Sequence, residues 1–247
     1  MALVNSFEKS GNYLFKNRGH IPVILYLLVI PVLYFTSYPI LDDLQYQILT
    51  GFAVFLSFMG FVVRAISIGT TPKGTSGRNT KEQVAESLNS TGIYSTLRHP
   101  LYLGNFLMWI GIVVFTFNIY FVVIVSLAFW LYYERIMFAE ERFLERKFGD
   151  VYMKWSNTIP AFIPCFKNYK KNIVPFSLVS VLRREYSGFL ATVWSFAFVD
   201  HLRYYFTTGS FDLYRDSSYV LVMAIVITLV LRTLKHSTKL LSEEGRS

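Results

Sequence analysis

The sequence predicts an all-α protein, a polytopic integral membrane bundle of about five or six transmembrane helices. Of its 247 residues, 53% are hydrophobic and only 16% are charged, and the apolar residues come in long blocks. So little charge cannot cover a soluble surface, and apolar blocks of about 20 residues match the hydrocarbon core of a bilayer. The whole chain, residues 1–247, is therefore interpreted as a single membrane domain.

The N-terminal half contains two of these apolar blocks and one polar loop. Residues 21–40 are uncharged and follow a basic segment, which predicts a retained first membrane helix; its prolines are tolerated where neighbouring helices satisfy the freed carbonyls. Residues 44–63 form a second uncharged block, which predicts a second membrane helix that ends at Arg64. Residues 69–89 are rich in Gly, Thr and Lys, and we expect a loop there.

The central apolar block, residues 101–133, is too long for one helix. A helix of this length would measure about 50 Å, against a hydrocarbon core of about 30 Å. We therefore expect a turn near Asn118 and a tight helical hairpin over about 97–138. The pattern then becomes charged but remains helical over 134–148, and Gly149 is a suitable C-terminal cap.

The C-terminal extension, residues 165–247, contains two weaker apolar runs, which predict two further membrane helices. The run at 188–206 contains charged residues, Asp200 among them, and these favour an interfacial position for it. The run at 217–231 is short but uncharged.

The distribution of basic residues predicts the orientation. With six spans, 22 of the 24 Lys and Arg residues fall on one side, leaving only Arg203 and Arg215 on the other. The positive-inside rule therefore places both termini in the cytoplasm, with a bacterial inner membrane and an endoplasmic reticulum both open. The chain has a net charge of +8, and its basic residues cluster beside the apolar blocks. This arrangement favours anionic lipid headgroups over nucleic acid as the partner of the basic residues.

The most specific local element begins with Arg98, His99 and Pro100, just before the hairpin. Pro100 suits the first turn of a helix, where its missing N–H costs nothing. The helix N-terminus adds partial positive charge beside Arg98 and His99, so this rim suits a carboxylate or phosphate. Tyr102 and Gly104 follow at short spacing and make the element more specific than an isolated arginine.

A second element, the adjacent carboxylates Glu140 and Glu141, lies on the extension of the second hairpin helix. Neighbouring helical positions point about 100° apart, so only one of the two can face a site squarely. Alone, this acidic pair would be an ordinary solvated helix face.

Together the two elements resemble the isoprenylcysteine carboxyl methyltransferase family and its wider relatives, the membrane phospholipid methyltransferases. The resemblance covers about residues 64–164, interpreted as a methyltransferase core, and leaves the C-terminal extension outside it. The matching positions are Gly92, Tyr94, Arg98, His99, Pro100, Tyr102, Gly104, Glu140, Glu141, Leu144, Phe148, Gly149, Tyr152 and Pro160.

The resemblance implies that S-adenosylmethionine binds at the cytoplasmic mouth of the bundle. The cofactor's carboxylate suits Arg98 and His99, and its ammonium and ribose hydroxyls suit Glu140 and Glu141. Its sulfonium and adenine suit aromatic faces. The implied cofactor-binding set is Tyr94, Arg98, His99, Pro100, Tyr102, Gly104, Glu140, Glu141, Leu144 and Tyr152.

Arg64 and Glu141 are the predicted catalytic residues, and Arg64 is also a candidate clamp for the acceptor's anion. Lys73 and Arg78, in the polar loop, and Trp155 complete the predicted acceptor-binding set. A flexible polar lid remains the alternative interpretation of the loop. No metal is expected.

These features predict methyl transfer from S-adenosylmethionine to a lipid-like acceptor in the membrane. An anionic oxygen, in a lipid phosphate such as a lipid A phosphate or in a prenylcysteine carboxylate, is already ionised at neutral pH and needs no general base. The alternative is an NADPH-dependent, sterol-reductase-like oxidoreductase, because that group shares the Arg-His-Pro element. A non-catalytic membrane protein of the same fold is a third interpretation. The oligomeric state stays open.

Overall fold

The computed structural model describes residues 2–19, 21–36, 42–75, 83, 85–243 and 245–246, and over them the chain is helical. Strand-like pairing within these ranges is confined to one isolated bridge, between Gly92 and Lys170. The all-α prediction is therefore confirmed. The α-helices are α1 Ala2–Asn17, α2 Ile21–Phe35, α3 Asp43–Gly69, α4 Pro100–Val114, α5 Ile119–Phe148, α6 Asp150–Ser156, α7 Leu178–Thr208 and α8 Asp216–Ser237.

Three of the described helices, α3, α5 and α8, are long and apolar enough to cross a membrane. Two shorter apolar helices, Ile24–Phe35 and Pro100–Val114, pack among them. Many large apolar side chains on these helices are exposed, as expected for surfaces that face lipid. The chain is a helical membrane bundle.

The N-terminal segment forms the helix predicted from Ile21, α2, and before it a second helix, α1, that was not predicted. The amphipathic α1 packs antiparallel along the C-terminal half of α5, with Glu8 bound to Arg146 and the Tyr132 hydroxyl directed at the carbonyl of Leu14. The described part of α2 ends at Phe35, and residues 37–41 lie outside the described residues. Sequence reasoning missed α1 because its apolar positions alternate with polar ones at helical spacing.

The helices α3 and α4 form the closest pair in the bundle, and glycines make that approach possible. A Cβ on Gly104 would lie 2.4 Å from the Arg64 Cγ atom and 2.9 Å from the Gly60 carbonyl oxygen. Small residues at helix interfaces let backbones approach in this way. The prediction that Arg64 ends the second helix is wrong, because α3 continues to Gly69.

The predicted hairpin is present, with α4 and α5 joined at Asn118. The Asn118 side chain caps α5 by accepting from the Phe121 N–H at 2.9 Å, and it also donates to Thr36 at 2.8 Å. At the other end of α5, Gly149 adopts a φ of 51°, as predicted for its C-terminal cap.

The run at 188–206, expected at the interface, lies inside α7, which packs against α2, α3, α4 and α8. Its charged residues are accommodated by pairing: Asp200 binds Arg203 and Arg215. Near its start, α7 carries a second buried carboxylate, Glu185. The segment is thus packed against other helices of the bundle, and its position relative to the membrane stays a prediction.

Candidate active site

A cavity of about 300 Å³ lies where α3 ends and α4 and α7 begin. Small-molecule sites in proteins usually span about 300–1,000 Å³, so the cavity is at the lower end of that range. Its walls come from α1, α3, α4, α5, α7 and the loop that precedes α4. Both motif elements identified in the sequence contribute to it, through Arg98 and His99 on one side and Glu140 on the other.

Arg98 is fully engaged by the protein. Its Nε and Nη2 atoms donate to the two carboxylate oxygens of Glu141, at 2.9 and 3.2 Å. Its Nη1 donates to the carbonyl oxygens of Ser156 and Ile159, at 2.5 and 2.9 Å. A bidentate pair of this kind fixes the guanidinium and neutralises its charge. Arg98 therefore ties the start of α4 to α5 and to the segment after α6.

His99 and Tyr102 bind different members of the glutamate pair. The His99 Nε2 atom lies 2.8 Å from a Glu141 oxygen, whereas the Tyr102 hydroxyl donates to Glu140 at 2.7 Å. The rings of His99 and Tyr102 stack with centroids 5.6 Å apart. Glu140 lines the cavity and Glu141 does not, as expected when neighbouring helical positions diverge.

Arg64 forms a second bidentate pair at the cavity wall. Its Nε and Nη2 atoms donate to Glu185 of α7, both at 2.7 Å, and its Nη1 donates to the Asn105 side chain at 2.5 Å. The side chain of Glu185 is 2% exposed. Asn105 in turn donates to the Tyr133 hydroxyl at 3.1 Å. This network joins α3, α4, α5 and α7.

Tyr94 lies in the short 3₁₀ helix before α4 and contributes an aromatic wall. Burial raises the pKa of its hydroxyl to about 12, and the nearby negative charge of Glu140 acts in the same direction. The phenol is therefore neutral at physiological pH.

The predicted site residues divide into two groups. Eight of them line the cavity, and five described ones do not. The lining residues are Arg64, Tyr94, Arg98, His99, Pro100, Tyr102, Glu140 and Leu144, and the others are Lys73, Gly104, Glu141, Tyr152 and Trp155. Arg78 lies outside the described residues.

Each of these five exclusions has a physical cause. Gly104 is occupied by the α3–α4 contact, and Glu141 by Arg98. Tyr152 and Trp155 are occupied by each other, with ring centroids 5.7 Å apart. Lys73 is exposed, and its backbone N–H donates to the carbonyl of Gly245.

Among the lining residues that sequence reasoning missed, four polar ones matter to the argument: Arg18, Asn105, Arg184 and Glu185. Asn105 had a detectable signal, since it is a polar residue early in an otherwise apolar block. Arg184 and Glu185 lie beyond the motif region, and only the fold brings them to it. Arg18 was interpreted only as part of a basic flank.

Fold and site define a helical membrane protein with a charged, partly aromatic cavity at one end of the bundle. Residues 46–151 match the model of the phospholipid methyltransferase family. The chain is also similar to protein-S-isoprenylcysteine O-methyltransferases: 28% identical to that of Schizosaccharomyces pombe over 44% of this chain and 48% of the relative, and 29% identical to that of Xenopus laevis over 55% and 46%. The resemblance predicted from the motifs is confirmed.

A third relative is the cobalt-zinc-cadmium resistance protein CzcN of Cupriavidus metallidurans, 30% identical over 58% of this chain and 60% of the relative. The chain thus spans about half of the length of the curated relatives it matches. No solved structure matches it.

Proposed function

We propose that the protein transfers a methyl group from S-adenosylmethionine to an anionic oxygen of a lipid-like acceptor in the membrane. The observation that carries this proposal is the placement of Glu140, held by the Tyr102 hydroxyl at 2.7 Å, in a cavity at the end of the bundle where α3 ends and α4 begins. The match to the phospholipid methyltransferase model and the similarity to isoprenylcysteine methyltransferases support it. The similarities found give no support to the oxidoreductase alternative.

The residues of the cavity fit the proposed cofactor. Glu140 offers a carboxylate to the cofactor's ammonium and ribose hydroxyls. The rings of Tyr94 and Tyr102 offer faces to adenine and to the positively charged sulfur. Leu144 and Pro100 add apolar surface to the same cavity.

In this mechanism the protein acts by positioning and by excluding water. The bound cofactor supplies a methyl group on a cationic sulfur. An ionised acceptor oxygen needs no proton removed, so the residues around it have only to orient the two reactants. Arg64 and Glu141, predicted as catalytic, are each engaged in an ion pair, and we assign them to positioning. Arg64 then shapes the acceptor side of the cavity through Glu185, and Glu141 holds His99.

A crevice of about 790 Å³ between α3, α7 and α8 supports a lipid acceptor. One end of it is formed by Phe61 and Phe189, whose ring centroids lie 6.1 Å apart. These residues are one helical turn from Arg64 and Glu185, so apolar volume adjoins the acceptor side of the cavity.

We assign a multi-pass topology with both termini on the cytoplasmic side. The cavity then opens at the face where the soluble cofactor is available. The last turns of α5 and α8 carry basic residues, namely Arg146, Lys147 and Lys235, and this supports the orientation.

Incubating the purified protein with methyl-labelled S-adenosylmethionine and membrane lipid extract tests the function. We expect label in the lipid fraction and a mass increase of one methylene unit in the modified lipid. At a cofactor concentration below saturation, Glu140→Gln should lower the transfer rate about 10-fold, while the conservative exposed-site variant Lys16→Arg should not change it. Label that stays in the aqueous fraction with lipid extracts and with prenylcysteine acceptors would overturn the proposal.

A further inference from the structure

The proposed cofactor carries a carboxylate, and the cavity has four arginines that could bind it: Arg18, Arg64, Arg98 and Arg184. Two of them are already neutralised by bidentate pairs, Arg64 with Glu185 and Arg98 with Glu141. Offering either one to a ligand carboxylate would bring a second negative charge beside its partner glutamate, which is unfavourable. Arg184 directly precedes Glu185 in α7. It therefore lies on the side of the cavity that we assign to the acceptor, not to the cofactor.

Arg18 is placed differently. It follows the last residue of α1 and lines the cavity. Its Nη1 donates to the Phe15 carbonyl at 3.3 Å, and its guanidinium carbon lies 3.8 Å from the centre of the Phe15 ring. Among the described parts of the chain, no carboxylate forms a salt bridge with it. Its charge acts on Glu140 from a distance beyond a salt bridge, and its planar fork is therefore available to a ligand carboxylate beside the cofactor's ammonium.

The helix that carries Arg18 is firmly docked. Glu8 binds Arg146 at 2.6 Å, and a Cβ on Gly11 would overlap the Arg135 carbonyl oxygen of α5. Phe15 is 6% exposed and packs with Tyr133 and neighbouring residues of α5. Arg18 is therefore presented to the cavity by a packed element, which limits the entropy lost when it binds a ligand.

We propose that Arg18 binds the carboxylate of S-adenosylmethionine, so that α1 completes the cofactor site. This inference rests on the proposed function. It assigns a binding role to a residue outside the region that matches the family model, residues 46–151. A guanidinium suits this role because its planar fork binds a carboxylate through two parallel hydrogen bonds.

Calorimetric titration of the full-length protein in detergent tests the proposal with two ligands. S-adenosylhomocysteine keeps the carboxylate, and 5′-methylthioadenosine lacks the whole amino-acid portion. We expect Arg18→Ala to weaken S-adenosylhomocysteine binding about 10- to 100-fold, since hydrogen bonds to charged groups contribute about 1.5–3 kcal/mol. Binding of 5′-methylthioadenosine should be unchanged.

Two variants serve as references. Arg18→Lys keeps the charge but not the fork, so its loss of affinity should be smaller than that of Arg18→Ala. Lys16→Ala removes an exposed cation from the same helix and should change neither affinity. Thermal unfolding of each variant checks that α1 and the bundle remain folded.

The failures are distinguishable. If the unaltered protein binds neither ligand, the proposed function itself is wrong. If it binds S-adenosylhomocysteine and Arg18→Ala binds it equally well, the assignment of Arg18 is wrong. An equal loss for both ligands also contradicts the assignment, because it would mean that Arg18 supports the cavity without contacting the carboxylate.

Discussion

The helix α7 carries two buried ion pairs. Comparing them shows how an ion pair at a binding site differs from one that only stabilises the fold. Glu185 holds Arg64 at 2.7 Å, beside the cavity. Fifteen residues later, about 22 Å along the helix, Asp200 holds Arg203 at 3.5 Å and Arg215 at 2.7 Å. Both pairs would look equally functional in the sequence, since charges inside membrane helices are rare and costly.

The pair at Asp200 has a structural explanation. Arg203 donates to the Phe115 carbonyl at 3.1 Å, and its guanidinium lies 4.5 and 4.4 Å from the rings of Phe115 and Phe117. It therefore clamps the turn between α4 and α5. Arg64 is surrounded instead by Asn105, Tyr94 and other groups that line one cavity. A buried arginine thus indicates a site only when further polar groups converge on the same space.

The largest expected effect is on stability, and it is shared by both pairs. Glu185→Ala and Asp200→Ala should each lower the free energy of unfolding by about 3–5 kcal/mol, because each leaves a guanidinium without its carboxylate. Chemical unfolding in detergent micelles measures this loss. A loss below about 1 kcal/mol for either variant would show that its arginine finds another partner.

Milder variants should separate the two pairs by function. Glu185→Gln should raise the KM for the lipid acceptor, by about 10-fold if one charge-assisted hydrogen bond is lost, whereas Arg203→Lys, at a residue that lines neither the cavity nor the crevice, should leave it unchanged. Methyl-transfer kinetics with lipid vesicles as acceptor measure both. Equal increases in KM would remove the distinction between a site pair and a structural pair.

The same reasoning applies to the two adjacent glutamates. Glu140 lines the cavity, whereas Glu141 is committed to Arg98 and His99. Glu140→Gln should weaken S-adenosylhomocysteine binding about 10-fold with little change in stability. Glu141→Gln should mainly lower the unfolding temperature. Titration calorimetry and thermal unfolding of both variants decide between them, and the reverse pattern would contradict the assignment.

Short stretches of sequence predicted those elements that depend on hydropathy, helix length and backbone preferences. The α4–α5 hairpin follows from the length of its apolar block, and the Asn118 and Gly149 caps follow from backbone preferences. The pairing of Arg64 with Glu185 joins residues 121 positions apart, and no local pattern encodes it. The identity of the cavity-facing glutamate was equally open, since the sequence showed only that one of the two could face inward.

The N-terminal segment shows a different limit. Its hydropathy predicts a helix from residue 21 onward, but α1 owes its position to packing on α5. An amphipathic helix of ordinary composition gives a weak signal in a chain dominated by apolar blocks. Arg18 could therefore be recognised as a cavity residue only once α1 had been located.

The smallest expected effect concerns pH. Burial raises the pKa of Tyr94 in the folded protein to about 12, above its ordinary value near 10. Above pH 10 the unfolded chain ionises at this residue while the folded chain does not. Its contribution to stability is thus complete below pH 10 and is lost as the pH rises towards about 12. Thermal unfolding of Tyr94→Phe should show a shallower decline over this interval; identical profiles would contradict the predicted shift.

The most direct test of the central claim is an experimental structure of the protein bound to S-adenosylhomocysteine. The account predicts density for the ligand in the cavity between α1, α4 and α5, with its ammonium at Glu140 and its carboxylate at Arg18. Density elsewhere on the bundle, or a cavity that stays empty at saturating ligand, would contradict the assignment of this cavity as the methyl-donor site.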